Sequence, residues 1–143
     1  MRILILEDDQ NRIDIFKKNL AGHDVDVVET AKGAIDFLVG FDYDVVFLDH
    51  DLGGEQWVDA GNKNTGSEVV RWVTGWYNGE KDDDGRFLYP IAPKSWRGTL
   101  FIVHSMNTIT APNMVTDLKS GRCRAERVPF SLLVDKLADF KNA

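Results

Sequence analysis

The sequence predicts an α/β fold, a doubly wound five-stranded parallel sheet, in a single domain over residues 1–143. Two observations predict it. Short apolar segments alternate five times with segments that carry apolar residues at helical spacing, the pattern of repeated βαβ units. The central segment, residues 45–48, is four apolar residues bounded by acids and then glycines. A run of this kind is typical of a strand buried on both faces, in the middle of a parallel sheet.

The first half of the chain supplies three strands and two helices. Residues 2–6 are a continuous apolar strand, and the next helix is predicted from one apolar stripe, Ile13, Phe16 and Leu20. Residues 24–29 alternate in polarity, which favours a strand at the sheet edge. Thr30 is expected to cap a helix that ends at Gly40. The central strand follows.

The connection from the central strand to the fourth strand is long. A polar loop is expected up to Asn64, and then a helix capped by Thr65 or Ser67 with a wide apolar face, comprising Val69, Val70, Trp72, Val73, Trp76 and Tyr77. Residues 79–98 have no clear period and exceed the roughly 12–15 residues above which structureless loops are uncommon. They are expected to form a functional flap or a small hairpin around residues 87–89. A tip held only by its aromatic side chains is the alternative.

The last third of the chain completes the sheet. Residues 99–103 are a fourth apolar strand, Thr110 or Asn113 is expected to begin a helix that ends at Gly121, and residues 123–128 are a weaker fifth strand. The last helix opens at residues 129–131, and its predicted buried stripe is Leu133, Val134, Leu137 and Phe140.

Composition limits the functional classes. A formal net charge of -6 and a pI near 5.0 argue against an extended DNA-binding surface. A small basic patch remains open at Lys119, Arg122, Arg124 and Arg127. One cysteine, Cys123, fits a reducing compartment, and no apolar run reaches the roughly 20 residues of a membrane span. We expect a cytoplasmic protein without a membrane segment.

Polar clusters follow three of the predicted strands. They are Glu7-Asp8-Asp9 after the first strand, Asp49-His50-Asp51 after the third and His104-Ser105 after the fourth. Ligands of open α/β sheets bind outside the carboxyl ends of the strands. Carboxylates that converge there need a cation, and oxygen ligands with open positions suit Mg²⁺ or Mn²⁺. Since Mg²⁺ commonly recruits a phosphate oxygen, the pattern predicts a site that handles phosphoryl groups.

Each cluster also has a structural interpretation. Acids at strand ends are often turn or cap residues, and His50 and His104 can be ordinary hydrogen-bonded histidines. Ser105 can be a cap, and Cys123 and the tryptophans are most simply core residues. Three clusters at three strand ends favour the metal site over coincidence.

Several segments resemble the receiver domain of two-component response regulators. They are residues 3–9 (ILILEDD), residues 44–49 (DVVFLD), a hydroxyl residue after the fourth strand and Pro129-Phe130 after the fifth. The resemblance covers nearly the whole chain, with the segment between strands 3 and 4 expanded. It implies a flavodoxin-like sheet with strand order 2-1-3-4-5.

The resemblance also implies roles for individual residues. Glu7 and Asp8 are similar to the acidic pair that holds Mg²⁺, with Asp8 and Asp9 as the alternative pair. Asp49 is similar to the aspartate that accepts the phosphoryl group. Ser105 is similar to the hydroxyl residue that contacts that group, and Asp51 falls where receivers use a backbone carbonyl as a metal ligand.

Two departures from the receiver pattern matter. Receivers carry a phosphate-pairing lysine immediately before the proline after strand 5, and this position is Val128 here. Arg127 precedes it, and neighbouring side chains in a strand point to opposite faces. Residues 48–52 (LDHDL), residues 104–107 (HSMN) and the long insertion resemble the divergent cyclic-phosphate-processing receiver-like domains. That resemblance implies handling of cyclic or terminal phosphates, chiefly of RNA.

The first of two hypotheses is a metal-dependent phosphohydrolase or cyclic phosphodiesterase. Its substrate would be a phosphate-bearing small molecule or an RNA end, beneath a flap with Arg86, Lys94 and Arg97. The expected catalytic residues are Asp49 as nucleophile or metal ligand, Asp51 or His50 as proton donor, and His104 and Ser105 to orient the phosphate. The expected metal ligands are Glu7, Asp8, Asp49 and Asp51, and the expected substrate-binding residues are Asn107 and Arg127.

The alternative hypothesis is a stand-alone response-regulator receiver in a phosphorelay. Asp49 would then accept a phosphoryl group from a histidine kinase, and a protein partner would recognise the changed surface. The valine at position 128 counts against this hypothesis. A binding protein that has kept the fold and lost reactivity is a third possibility.

Overall fold

The computed structural model describes residues 1–52, 62, 64–75, 81–87, 89–90 and 95–140. It contains one sheet of five parallel strands in the order β2-β1-β3-β4-β5, which confirms the predicted fold class and strand order. The strands are β1 (Arg2–Leu6), β2 (Asp24–Val28), β3 (Val45–Leu48), β4 (Leu100–Val103) and β5 (Arg124–Arg127).

Helices cover both faces of the sheet. They are α1 (Gln10–Asn19), α2 (Ala31–Gly40), α3 (Gly66–Thr74), α4 (Thr110–Ser120) and α5 (Leu133–Ala138), the last preceded by a 3₁₀ turn (Phe130–Leu132). The buried residues of α1 and α5 pack with one face of the sheet, and those of α2, α3 and α4 pack with the other. None of the helices in the described part of the chain is long and apolar enough to cross a membrane.

Helices on both faces of the sheet explain why the inner strands are continuously apolar. Ile3 and Ile5 point to the α1/α5 layer, whereas Leu4 and Leu6 point to the other layer, and all four side chains are fully buried. The alternating strand β2 is at the sheet edge, as predicted, and most of its residues are partly exposed because only one neighbour covers it.

Side-chain caps fix the beginnings of three helices. Thr30 accepts a hydrogen bond from the amide of Gly33, as predicted, and Asp9 caps α1 through the amide of Arg12. Thr65, rather than Ser67, caps α3 by accepting from the amide of Glu68. The helix ends at Gly75, whose φ of 83° is left-handed, so the predicted members Trp76 and Tyr77 lie past its end and outside the described residues.

One predicted core position is wrong. Val134 is 50% exposed, whereas Leu133 and Leu137 are fully buried. The physical reason is the 3₁₀ turn before α5, which sets the rotation at which the helix begins. Leu133 and Leu137, four residues apart, therefore face the sheet. Val134 therefore faces away from the core.

The segment between α3 and β4 contains a small hairpin. Lys81 and Phe87 form an antiparallel bridge, with Gly85 in a left-handed conformation at the turn. The described hairpin therefore spans residues 81–87 and lies just before the predicted position, residues 87–89, sharing only Phe87 with it. Farther along, the Trp72 indole donates to the carbonyl of Pro90 at 2.7 Å, and Trp96 packs against Trp72, so the segment is attached to α3.

Candidate functional site

Three buried polar side chains lie at one level of the sheet, one residue beyond the ends of β1, β3 and β4. Leu6 pairs with Leu48, and Leu48 with Val103, so the next residues, Glu7, Asp49 and His104, are neighbours across the three strands. They continue the alternation of Ile5, Phe47 and Ile102 and therefore point toward the α1/α5 layer. One ligand atom from each lies within 4.8 Å of the others. We call these three residues the acidic centre.

Glu7 is held by the chain turn that leads into α1. Its Oε2 accepts hydrogen bonds from the amides of Asp8 (3.0 Å) and Asp9 (3.2 Å), and its Oε1 lies 3.2 Å from Nε2 of His104. The side chain is completely buried. Because two backbone amides fix one oxygen, the other oxygen is directed at the neighbouring strands.

His104 is fixed by aromatic packing as well as by Glu7. Its ring lies edge-on to Phe16, 5.1 Å between ring centroids, and to Phe47 at 6.3 Å. The Nδ1 atom is buried and has no hydrogen-bond partner among the described residues. Nε2 is therefore the nitrogen presented to the two carboxyl groups.

The two carboxyl groups of the acidic centre titrate differently. Burial raises the pKa of Asp49 to about 7, the charge of His104 opposes this rise, and Glu7 adds to it. Burial also acts to raise the pKa of Glu7, but the hydrogen bond and charge of His104 outweigh it, and the pKa lies below its ordinary value. Glu7 is thus the ionised partner, and Asp49 exchanges its proton near neutral pH.

A cation that the sequence analysis missed also reaches this centre. The Nη1 atom of Arg12 lies 3.6 Å from Oε1 of Glu7 and 3.6 Å from Oδ2 of Asp49. Its guanidinium carbon lies 4.7 Å from the centre of the Phe130 ring. The available signal was the position of Arg12 in the first turn of α1, where the helix macrodipole disfavours a cation unless something nearby compensates it.

A second hydrogen-bonded group lies beside the acidic centre. The fully buried His50 places Nδ1 2.9 Å from the Ser67 hydroxyl and Nε2 4.0 Å from Oδ1 of Asp51. The Asn107 amide donates to the same Asp51 oxygen at 3.3 Å. We call Ser67, His50, Asp51 and Asn107 the histidine chain, and it joins the end of β3 to the starts of α3 and α4.

Close packing of α3 holds the histidine chain against β3. The amide of Gly66 donates to the carbonyl of His50 at 3.3 Å, and a Cβ atom at Gly66 would lie only 2.1 Å from the carbonyl oxygen of Asp49. Glycine is therefore required at this position by the close approach of two backbones.

The donor set fits a divalent cation. Two buried carboxyl groups with one guanidinium between them form a region of negative charge, and carboxylate oxygens are the ligands of Mg²⁺ and Mn²⁺. The imidazole of His104 adds a nitrogen donor, which Mn²⁺ accepts more readily than Mg²⁺. The residues present therefore match the predicted metal class.

Comparison with known proteins identifies the family. Residues 2–120 match the model of the cyclic-phosphate processing receiver domain. The chain belongs to this family. A search of curated proteins found no match to this receiver domain.

Solved structures share the fold at low sequence identity. The Mn²⁺-bound response regulator Rcp1 superposes with a TM-score of 0.56 at 13% identity, covering 97% of this chain and 90% of that one. TrrA from Thermotoga maritima, solved with Mg²⁺ and BeF, gives 0.54 at 19% identity, covering 95% and 97%. A sensor protein from Polaromonas sp. JS666 gives 0.57 at 19% identity, covering 96% and 93%. At these identities the likeness establishes the receiver fold alone.

Asp8 and Ser105, two further predicted ligands of this receiver domain, are chain neighbours of Glu7 and His104. Asp8 is half-buried, and its amide donates to Glu7. Ser105 is fully buried, and its hydroxyl accepts from the amide of Asn107 at 3.1 Å. The structure thus brings Glu7 and Asp49 together with His104, the residue before the predicted hydroxyl.

The end of β5 presents an apolar side chain to the acidic centre. Arg127 pairs with Val103, whose side chain belongs to the α2/α3/α4 layer, so strand alternation directs Arg127 away from Asp49. Val128 comes next, level with His104, and packs into the α1/α5 layer. A cation near Asp49 is supplied instead by α1, at Arg12.

Proposed function

We propose that this receiver domain binds Mg²⁺ or Mn²⁺ at the acidic centre and uses the site to process cyclic or terminal phosphates of RNA or nucleotides. The observation that carries the proposal is the convergence of Glu7, Asp49 and His104, with ligand atoms within 4.8 Å, at the carboxyl ends of three neighbouring strands. A phosphate-handling site at this edge agrees with the general rule for open α/β sheets.

Glu7 and Asp49 would hold the metal ion, with Asp8 and Asp51 as the further acidic ligands proposed from the sequence. The bound ion would supply neutralisation of the phosphoryl charge and fix the orientation of the phosphate. Both carboxyl groups of the acidic centre are almost completely buried, so a cation is the condition under which both stay ionised.

In this proposal Asp49 acts on phosphorus. Its pKa of about 7 provides a substantial carboxylate fraction at neutral pH, and that carboxylate is a suitable nucleophile or base. In a 2′,3′-cyclic phosphate, attack on phosphorus by water with Asp49 as base, or by the Asp49 carboxylate itself, would form one P–O bond and break one ring P–O bond. In the second case water would then hydrolyse the bond between Asp49 and phosphorus, which frees the carboxylate and releases the phosphate monoester. The leaving ribose oxygen then needs a proton.

In this proposal the histidine chain supplies that proton. His50 lies between the Ser67 hydroxyl and Asp51, so one of its nitrogens is held by a hydrogen bond while the other faces a carboxyl group. Asp51 or His50 would donate to the leaving oxygen, and a solvent proton would restore the donor. His104, Ser105 and Asn107 would orient the phosphate.

The substrate class follows from the family and from charge. The family description names cyclic phosphates, and a chain of net charge -6 suits a single phosphate group better than a long nucleic-acid backbone. Arg86 and Arg97, the described cations of the proposed flap, are exposed. Their segment leaves the C-terminal end of α3 and returns at Thr99 to the amino end of β4, so it begins and ends at the edge of the sheet opposite the acidic centre. Arg127 remains a proposed substrate contact; it is partly buried and belongs by strand alternation to the face of the sheet covered by α2, α3 and α4. Lys94 lies outside the described residues.

A second candidate function is phosphoryl acceptance at Asp49 within a phosphorelay. The specific observation in its favour is the position of Asp49 at the end of the central strand of a receiver fold, in the manner of the response regulators that share the fold. A protein partner would then read the modified domain. The apolar end of β5 at Val128 favours the first function.

The test is incubation of the purified protein with Mn²⁺ or Mg²⁺ and either 2′,3′-cyclic AMP or acetyl phosphate, followed by ³¹P NMR. Repeated turnover of the cyclic phosphate that is lost in Asp49→Asn, Asp51→Asn and His104→Ala supports processing. The control is Asp36→Asn, which removes an exposed acid of α2 paired with Lys32. A stable phosphoprotein from acetyl phosphate without turnover would support the phosphorelay, and failure of both reactions would overturn both functions.

A further inference from the structure

Arg12 stands at the boundary between the acidic centre and solvent. Its side chain is 29% exposed, whereas the side chains of Glu7 and Asp49 are 0% and 3% exposed. A ligand that approaches the carboxyl groups from this side therefore meets the guanidinium first.

The guanidinium is shared between the two carboxyl groups without a hydrogen bond to either. Both N···O distances are 3.6 Å, beyond the roughly 2.7–2.9 Å of a charge-assisted hydrogen bond. In the described part of the chain its side-chain N–H groups have no partner at hydrogen-bond distance; only its backbone amide is used, by Asp9. A group with five donors thus keeps its hydrogen-bonding capacity uncommitted.

The 3₁₀ turn after β5 places an aromatic ring beside this guanidinium. The guanidinium carbon lies 4.7 Å from the centroid of the Phe130 ring, a cation–π contact that uses none of the N–H donors. A planar fork stacked on an aromatic ring and open at its edge is the arrangement that recognises phosphate oxygens in pairs. A lysine at this position would provide the charge but neither the stack nor the fork.

We propose that Arg12 is the phosphate-binding cation of this site, and that it exchanges partners on loading. Without a metal ion its guanidinium neutralises Glu7 and Asp49. When a divalent cation takes those carboxylates, Arg12 is displaced over the Phe130 ring and binds two oxygens of the phosphoryl group. This inference rests on the proposed function, because it assigns the residue that holds the phosphate.

The exchange predicts opposite effects of one substitution on two ligands. Arg12→Gln removes the cation that competes with the metal, so Mn²⁺ alone is expected to bind about three- to tenfold more tightly. The same variant loses the phosphate fork, so inorganic phosphate added at saturating Mn²⁺ is expected to bind at least about tenfold more weakly. A residue with only a structural role would not move the two affinities in opposite directions.

The experiment is isothermal titration calorimetry of Mn²⁺, and then of inorganic phosphate at saturating Mn²⁺, on wild type, Arg12→Gln and Arg12→Lys. Arg12→Lys keeps the charge, so its Mn²⁺ affinity should stay near wild type while its phosphate affinity falls. Lys17→Gln, an exposed charge on the same helix, is the matched control and should change neither affinity.

Each result has a defined meaning. Opposite shifts in Arg12→Gln support the exchange. If phosphate binds the wild type and Arg12→Gln equally well, Arg12 is not the phosphate ligand, and the proposed function survives. If phosphate does not bind the Mn²⁺-loaded wild type at all, the proposed function and the role of Arg12 both fail. Thermal unfolding checks that each variant is folded. If Arg12→Gln does not fold, the phosphate affinity of Arg12→Lys is the measurement that tests the proposal.

Discussion

The Nε2 atom of His104 lies 3.2 Å from Oε1 of Glu7, and neither side chain is exposed to solvent. Without His104 the buried Glu7 carboxylate keeps only two backbone amides and the 3.6 Å contact to Arg12, so the loss should lie toward the lower end of the range of about 3–5 kcal/mol typical of a broken buried pair. We therefore expect His104→Phe, which keeps an aromatic ring between Phe16 and Phe47, to destabilise the protein by about this amount in urea unfolding.

The double variant Glu7→Gln/His104→Phe tests the cause of that loss. Because it removes the buried charge together with its partner, it should recover part of the stability lost in His104→Phe. If the two substitutions are additive, the hydrogen bond between these side chains does not contribute to stability.

Asp49 makes metal-free stability depend on pH. Its pKa is about 7 in the folded protein against 3.8 for the free group, so the folded state binds more protons than the unfolded state between these values. Stability should therefore fall as pH rises from about 4 to about 7. Asp49→Asn removes this dependence and should be more stable than wild type at pH 8 in EDTA, by ~4 kcal/mol at most, at about 1.4 kcal/mol per pKa unit.

Addition of a divalent metal ion should make wild type more stable than Asp49→Asn, the reverse of their order in EDTA. Saturating Mn²⁺ is expected to stabilise wild type at pH 8 and to leave Asp49→Asn nearly unchanged, since a ligand that binds only the folded state stabilises it by mass action. Urea unfolding at pH 5 and pH 8, with and without Mn²⁺, measures both effects. An equal pH dependence in wild type and Asp49→Asn would contradict the prediction.

Gly66 is expected to tolerate no side chain. An added Cβ would lie 2.1 Å from the Asp49 carbonyl oxygen and 2.8 Å from the Met114 methyl carbon, so Gly66→Ala must displace the start of α3 from β3. We expect a loss of about 3 kcal/mol or more in urea unfolding, with weaker Mn²⁺ binding. Gly40→Ala is the control: nothing lies within 4 Å of its Cβ, and a gain of up to about 1 kcal/mol is expected.

Ser67→Ala should release His50 without disturbing the acidic centre. The substitution removes the 2.9 Å hydrogen bond between the Ser67 hydroxyl and Nδ1 of His50, at a cost of about 1–3 kcal/mol. The imidazole ¹⁵N shifts of His50 should change while those of His104 stay constant. Ser120→Ala, exposed at the end of α4, is the matched control. A change confined to stability, with no change at His50, would show that Ser67 does not orient the ring.

The fold was predictable because local pattern and global layering agree in this chain. Continuous apolar segments at residues 2–6 and 45–48 correspond to strands covered on both sides, and alternation at β2 corresponds to an edge. The convergence of Glu7 and Asp49 was predictable from the same layering, since parallel strands end at one edge. The pattern could not set the phase of α5, because the preceding 3₁₀ turn changes the rotation per residue.

The rest of the site depends on side-chain reach. The distance from Arg12 to Glu7 and Asp49 is set by the Asp9 cap, by the angle of α1 and by the ring of Phe130, which follows β5. Asn107 was predicted to bind substrate, and in the structure its Oδ1 also accepts from the amides of Ile109 and Thr110 at the start of α4. Residue spacing in the sequence does not predict these side-chain contacts.

The ring of Phe130 holds Arg12 by an attraction that has little directional preference. A cation on a ring face can slide by an ångström or more without breaking a fixed hydrogen bond, so a change of partner requires little reorganisation. Under the proposed exchange, Arg12 would return to Glu7 and Asp49 once the metal ion and the phosphate leave. That property suits repeated turnover better than long-term storage of a modified state.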